Sequence, residues 1–98
     1  MAREKLAEET VREALAALDG WSMSREGMAI ARTLSFRNFS EAFGFMTQVA
    51  LAAERLDHHP DWSNVYKTVT IELTTHDAGG LTELDFRLAR RIDMIAAK

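Results

Sequence analysis

Cysteine is absent from the 98-residue chain, so neither a disulfide framework nor a thiolate metal site can be built from it, and folding needs no oxidising compartment. One proline and five glycines leave no material for a long flexible linker. No apolar run approaches the roughly 20 residues of a membrane-spanning helix. The opening Met1-Ala2-Arg3-Glu4-Lys5 alternates charge where a signal peptide has an apolar core. An excess of basic charge is missing as well. Twelve Lys and Arg stand interspersed with 15 Asp and Glu, for a formal net charge of -3, and no basic stripe of the kind that neutralises phosphates is present. Internal repeats and low-complexity tracts are also lacking. The expectation is a single cytoplasmic domain over residues 1–98, with neither nucleic acid nor membrane as a partner.

What is present is periodic. Val11, Ala14, Leu15 and Leu18 recur at helical spacing, which predicts a helix over roughly residues 3–18, ended at Asp19-Gly20 and poorly capped at Ala7. Trp21-Ser22-Met23 pairs with Met28–Phe36 through a turn at Ser24–Gly27, where Met28, Ile30, Leu34 and Phe36 alternate as in a half-buried strand. Arg32 interrupts that apolar side; either its stem packs while the guanidinium reaches solvent, or it points into a site. Asn38 and Glu41 have the spacing of a capping box at the head of a helix over residues 39–56. The apolar residues of that helix cover far more than one stripe. Its second side therefore needs a cover, most simply another copy of the chain, the alternative being a helix sandwiched within one domain. Val69, Ile71 and Leu73 alternate with Thr68, Thr70, Glu72 and Thr74 in a further strand, while Trp62–Tyr66 can form a short strand of its own. Thr82 and Asp85 cap a last helix whose buried side carries Leu84, Leu88, Ile92 and Ile95. The order α-β-β-α-β-β-α implies an α+β domain, with the helices packed on one face of an antiparallel sheet.

All three histidines lie at element boundaries. His58 and His59 precede Pro60, which disfavours helical geometry at the residue before it, and His76 follows the later strand. Imidazole titrates near neutrality, with an unperturbed pKa of about 6.5, so one such group can accept a proton while another donates one. That pair of acts suits the loss of water from a carbinolamine, in which an acid protonates the departing hydroxyl and a base takes a proton from the ring. No redox cofactor is called for. A zinc site is disfavoured, because adjacent imidazoles reach one ion together only with difficulty. Taken alone, His76 is as well explained as a solvated loop residue, Asp57 either orients a histidine or is an ordinary surface carboxylate, Asp85 reads as a helix cap, Trp62 as core before pocket wall, and Tyr66 as structural.

The run Phe43-Gly44-Phe45-Met46, followed by Glu54-x-Leu56-Asp57-His58-His59-Pro60-x-Trp62, Asn64-Val65-Tyr66 and Thr75-His76-x-Ala78-Gly79-Gly80-Leu81-Thr82-x-x-Asp85, resembles the pterin-4a-carbinolamine dehydratase family from about Trp21 to Ile95. The resemblance implies a four-stranded antiparallel sheet with three helices, assembly as a homodimer or homotetramer, and dehydration of 4a-hydroxytetrahydrobiopterin to the quinonoid dihydropterin. That reaction recycles the cofactor of aromatic amino acid hydroxylases. Catalytic roles then fall to His58, His59 and His76, with no metal. Contacts to the pterin fall within segments 58–60 and 75–78, so that Pro60, Thr75, Asp77 and Ala78 join Asp57, Trp62 and Asp85 as candidate substrate-binding residues. Asp77 stands where many relatives carry other small or acidic residues. Some mammalian relatives also stabilise a homeodomain transcription factor dimer through the apolar helix matching residues 39–56, so the alternative role is an interaction module acting as a transcriptional cofactor.

Overall fold

A computed structural model describes residues 2–97. Its elements run α1 (Glu8–Ala16), β1 (Ser22–Ser24), β2 (Ala29–Ser35), α2 (Phe39–Leu56), β3 (Asp61–Val65), β4 (Thr68–Leu73) and α3 (Glu83–Ala96), with 3-10 turns at Arg25–Gly27 and His76–Ala78. All strand pairings are antiparallel, in the spatial order β1-β2-β4-β3. The expected α+β class and element order are both present.

Register explains how one face of the sheet becomes the core. Ile30, Arg32 and Leu34 of β2 stand opposite Leu73, Ile71 and Val69 of β4, and Trp62 stands opposite Ile71 on the other side. Successive side chains alternate between faces, so these residues share one side. The helices lie over it, contributing Val11 from α1, Ala42, Phe45, Val49 and Ala53 from α2, and Phe86, Leu88, Ala89 and Ile92 from α3. The other face carries Thr33 opposite Thr70 and Asp61 opposite Glu72.

Arg32 occupies a core-face position without breaking the core. Its Nη1 donates to Asp93 Oδ1 of α3 at 2.5 Å, and the same oxygen accepts from the indole of buried Trp21 at 2.8 Å. The side chain remains 26% exposed, and its partner Asp93 is not a candidate site residue. Gly20 makes room for it: at φ +84 it adopts the left-handed backbone, and a Cβ there would come within 2.9 Å of Arg32 Nε.

Two boundaries differ from the sequence expectation. Helix α1 begins at Glu8, because residues 3–7 are drawn toward the loop before α3, where the Leu6 N–H donates to the Leu81 carbonyl at 2.8 Å. Its end falls at Ala16, before Asp19-Gly20. The capping box of α2 forms by half. Asn38 Oδ1 accepts from the Glu41 N–H at 2.9 Å, but the Glu41 carboxylate takes the Arg37 N–H at 2.8 Å, one residue further back.

A single chain does not cover both sides of α2. Ala42, Phe45, Val49, Ala52 and Ala53 are buried, while Phe39, Phe43 and Leu51 stay 48%, 56% and 61% exposed. Sandwiching within the domain therefore does not occur.

The core makes a stability prediction. Leu88, fully buried on α3, should cost about 2–5 kcal/mol when replaced by alanine, whereas exposed Met94→Ala should stay within about 0.5 kcal/mol; urea denaturation with unchanged slope checks both.

Candidate active site

The end of α2 decides where its two histidines go. Asp57 sits in the left-handed region at φ 52. Its N–H donates to the Glu54 carbonyl at 3.2 Å and the His58 N–H donates to the Ala53 carbonyl at 3.1 Å. This is a Schellman closure, with aspartate in the position glycine usually fills. It turns His58 inward, to 6% exposure, and leaves the next residue, His59, outside. Asp57 orients neither of them. Its carboxylate lies 3.4 Å from Arg3 Nη2, which also donates to the Asp57 carbonyl at 2.9 Å.

His58 Nε2 lies 2.6 Å from Asp85 Oδ1. Asp85 is completely buried, and an ionised carboxylate there requires the proton on Nε2. Its other oxygen accepts from the Thr75 hydroxyl at 2.8 Å and from the Thr82 N–H at 2.9 Å, the second being the returning half of the capping box that starts α3. Thr75 and Thr82 are themselves joined through their hydroxyls at 2.8 Å. One hydrogen-bonded cluster therefore ties the His58-His59-Pro60 turn to the residue just before His76.

His59 is exposed, with Nε2 2.5 Å from Glu54 Oε1, a carboxylate on the last turn of α2. His76 is exposed as well, at the start of a 3-10 turn closed by the Thr75–Gly80 bridge. It lines a depression of about 110 Å³ with Arg25, Met28, Thr74, Gly79 and Gly80. Neither His58 nor His59 lines that depression. What joins it to the proline turn is Arg25, whose Nη2 lies 2.5 Å from both Asp61 and Glu72. Its Asp61 hydrogen bond raises the guanidinium pKa above the ordinary value, with Glu72 adding to this against desolvation, so the side chain is a cation at any pH the protein meets. Pro60, Trp62 and Ala78 are half-buried, Trp62 packing on the core, and Asp77 is exposed. Among the described residues, no group of three or more histidine or carboxylate side chains is arranged to hold a metal ion.

The family model for pterin 4 alpha carbinolamine dehydratase matches residues 4–95. The chain belongs to that family. A Mesorhizobium japonicum protein bearing a provisional pterin-4-alpha-carbinolamine dehydratase name is 60% identical over 93 residues, 95% of each chain. A similarly named protein of a Chelativorans species is 58% identical over the full length of both. Among solved structures, a Brucella melitensis protein described as a transcriptional coactivator/pterin dehydratase superposes with a TM-score of 0.91 at 50% identity, over 95% of this chain and 99% of that one. A pterin dehydratase-like protein identified as a RuBisCO assembly factor of the alpha-carboxysome has a TM-score of 0.70 at 20% identity, over 81% of this chain and 92% of its own, and shows the shared fold.

Glu54 and Arg25 are site-shaping groups that the sequence pattern does not reveal. Glu54 reaches His59 across five residues because of the left-handed turn between them, a spacing no helical rule flags. Arg25 depends on a strand register that sets Asp61 beside Glu72.

Removing the central carboxylate should be strongly destabilising. Asp85→Ala leaves His58, Thr75 and the Thr82 N–H without their acceptor inside the protein, and urea denaturation should show a loss of about 3–5 kcal/mol, against about 1–3 kcal/mol for Thr75→Val. A loss below about 1 kcal/mol for Asp85→Ala would mean that water replaces the cluster.

Proposed function

We propose that the protein dehydrates a 4a-hydroxytetrahydropterin to the quinonoid dihydropterin, and that His59 and His76 carry the proton transfers. In this reading an imidazolium protonates the hydroxyl on ring carbon 4a, the carbon–oxygen bond breaks and water leaves. The neutral imidazole of the other histidine removes a proton from a ring nitrogen, and the freed electron pair remains in the new carbon–nitrogen double bond. Atoms and charge balance without an oxidant, so the protein need supply only positioned acid and base. The observation that carries the reading is the buried Asp85 cluster, which holds the His58-His59-Pro60 turn and the Thr75-His76 segment in one hydrogen-bonded unit. His58 commits Nε2 to that cluster and acts as a positioning residue, in contrast to exposed His59 and His76. The Glu54 carboxylate lies against His59 Nε2 and can orient its ring, and either exposed histidine can take the acid role. Pro60, Thr75, Asp77 and Ala78 border the two histidines in sequence and are the nearest candidates for contact with the pterin ring.

Conversion of 4a-hydroxytetrahydropterin tests this. His59→Ala and His76→Ala should each lower kcat by about 10²–10⁴. His58→Gln, whose amide can still donate to Asp85, should leave the pH profile of kcat in place. Wild-type rates in both alanine variants would remove the mechanism.

A second role rests on a separate observation. The exposed Phe39, Phe43 and Leu51 lie on α2 with exposed Gly44 and Ala50, interrupted by exposed Thr47, and large apolar side chains clustered at the surface in this way mark an association surface. We assign it to self-association, as a homodimer or homotetramer, with a helical protein partner as the competing occupant. Light scattering should find a multiple of the 11.0 kDa chain for the wild type and the monomer mass for a Phe43→Glu, Leu51→Glu double variant.

A further inference from the structure

Arginine gathers where α2 and α3 meet. Arg55 stands on the last turn of α2, and Arg87 and Arg91 stand one turn apart on α3. All three line one cavity of about 370 Å³, completed by Ala52 and Leu56 as an apolar floor. That volume falls within the roughly 300–1,000 Å³ typical of a small-molecule site.

The charges at this cavity are poorly compensated. Among the described residues, Arg55 and Arg91 make no ion pair and no side-chain hydrogen bond. Arg87 meets only Glu83, at 3.6 Å, and shares that carboxylate with Arg90 at 3.2 Å. Like charges one turn apart on a helix oppose its formation, yet a chain with a formal net charge of -3 brings no carboxylate to Arg91 or Arg55. A second cavity of about 190 Å³ shares Ala52, Arg55 and Arg91 with the first and continues between the helices past Met94 to Ile95. Met94 is 57% exposed. The two spaces form one groove with a cationic end and an apolar run.

Those two characters select a ligand. A guanidinium presents paired N–H donors to an oxyanion, and a phosphate monoester, close to doubly charged near neutrality, can accept from several guanidinium groups at once. Inorganic phosphate alone would leave Leu56, Met94 and Ile95 without an apolar neighbour in the groove. We propose that the groove between α2 and α3 binds a free organic phosphate monoester, its phosphate held by Arg55, Arg87 and Arg91 and its apolar body laid along Met94 and Ile95. No histidine lines either space, so this is a second site, independent of the dehydratase reading.

The test is isothermal titration of the full chain with hexyl phosphate and with inorganic phosphate. Hexyl phosphate should saturate one site per chain and bind at least about tenfold more tightly, a gain that burial of two methylenes already supplies. Arg55→Gln and Arg91→Gln, both at exposed positions, should each weaken it by about tenfold, whereas Arg12→Gln removes the same charge from α1 and should change nothing. Bound ligand should also raise the Tm of the wild type and not of the two groove variants. Equal affinity for the two phosphates, or an equal loss in Arg12→Gln, would reduce the site to diffuse surface charge and overturn the proposal. So would a wild type that never saturates, or binding that appears only once Phe43→Glu has separated associated copies, which would make a second chain the occupant. Vesicles of phosphatidylcholine and phosphatidic acid should leave the protein in solution; co-sedimentation abolished by Arg55→Gln and Arg91→Gln would assign the groove to a membrane headgroup and overturn the free ligand.

Discussion

A carboxylate with no solvent exposure holds three distant parts of this chain together. Asp85 receives His58 from the end of α2, Thr75 from the end of β4 and the Thr82 N–H from the start of α3. Moving an ion out of water is so unfavourable that a buried carboxylate persists only with its lone pairs occupied. Each donor must therefore arrive at its place, and the loops that carry the donors must arrive with them. Apolar residues of similar volume could fill the same space with equal or better stability. What they would not supply is direction: a hydrogen bond fixes the angle of the His58 ring and the path of the chain into His76, whereas dispersion contacts tolerate sliding.

The consecutive histidines show how little sequence is needed to separate two roles. His58 and His59 have the same side chain and neighbouring backbones, yet one is sealed in the Asp85 cluster and the other lies in solvent against Glu54. The difference comes from the left-handed Asp57, which reverses the chain just before them. Arg32 follows a similar logic on the other side of the core. A charge at an apolar register position is accommodated because Asp93 meets it from α3 and Trp21 shares the same acceptor, so the polar group links sheet to helix instead of disturbing the packing.

The elements legible in the sequence were those whose signals are local. The span of α2, the β1–β2 hairpin and the Thr82–Asp85 cap follow from periodicity and from side chains within three or four residues of one another. Long-range contacts were not legible. The late start of α1 depends on a hydrogen bond between Leu6 and Leu81, 75 positions away, and competes with a residue, Ala7, that offers no cap. Strand β3 was ambiguous because Asn64 occupies a core-face position; its amide is consumed in the following turn, donating to the Tyr66 and Thr68 carbonyls at 3.0 Å. At the candidate site, histidines at element ends could be picked out as chemically suitable. That Asp57 faces Arg3, and that Glu54 stands beside His59, are consequences of a backbone reversal no side-chain pattern announces.

The layered fold also keeps two kinds of surface apart. All three helices cover one face of the sheet, so the uncovered apolar side of α2 points away from the strands. Arg25, Asp61 and Glu72 meet on the face the helices leave open, and the His76 depression adjoins them. A partner bound toward the N-terminal end of α2 therefore need not cross the region where the proposed chemistry would occur, whereas one that extends to the last turn of the helix meets Glu54 beside His59.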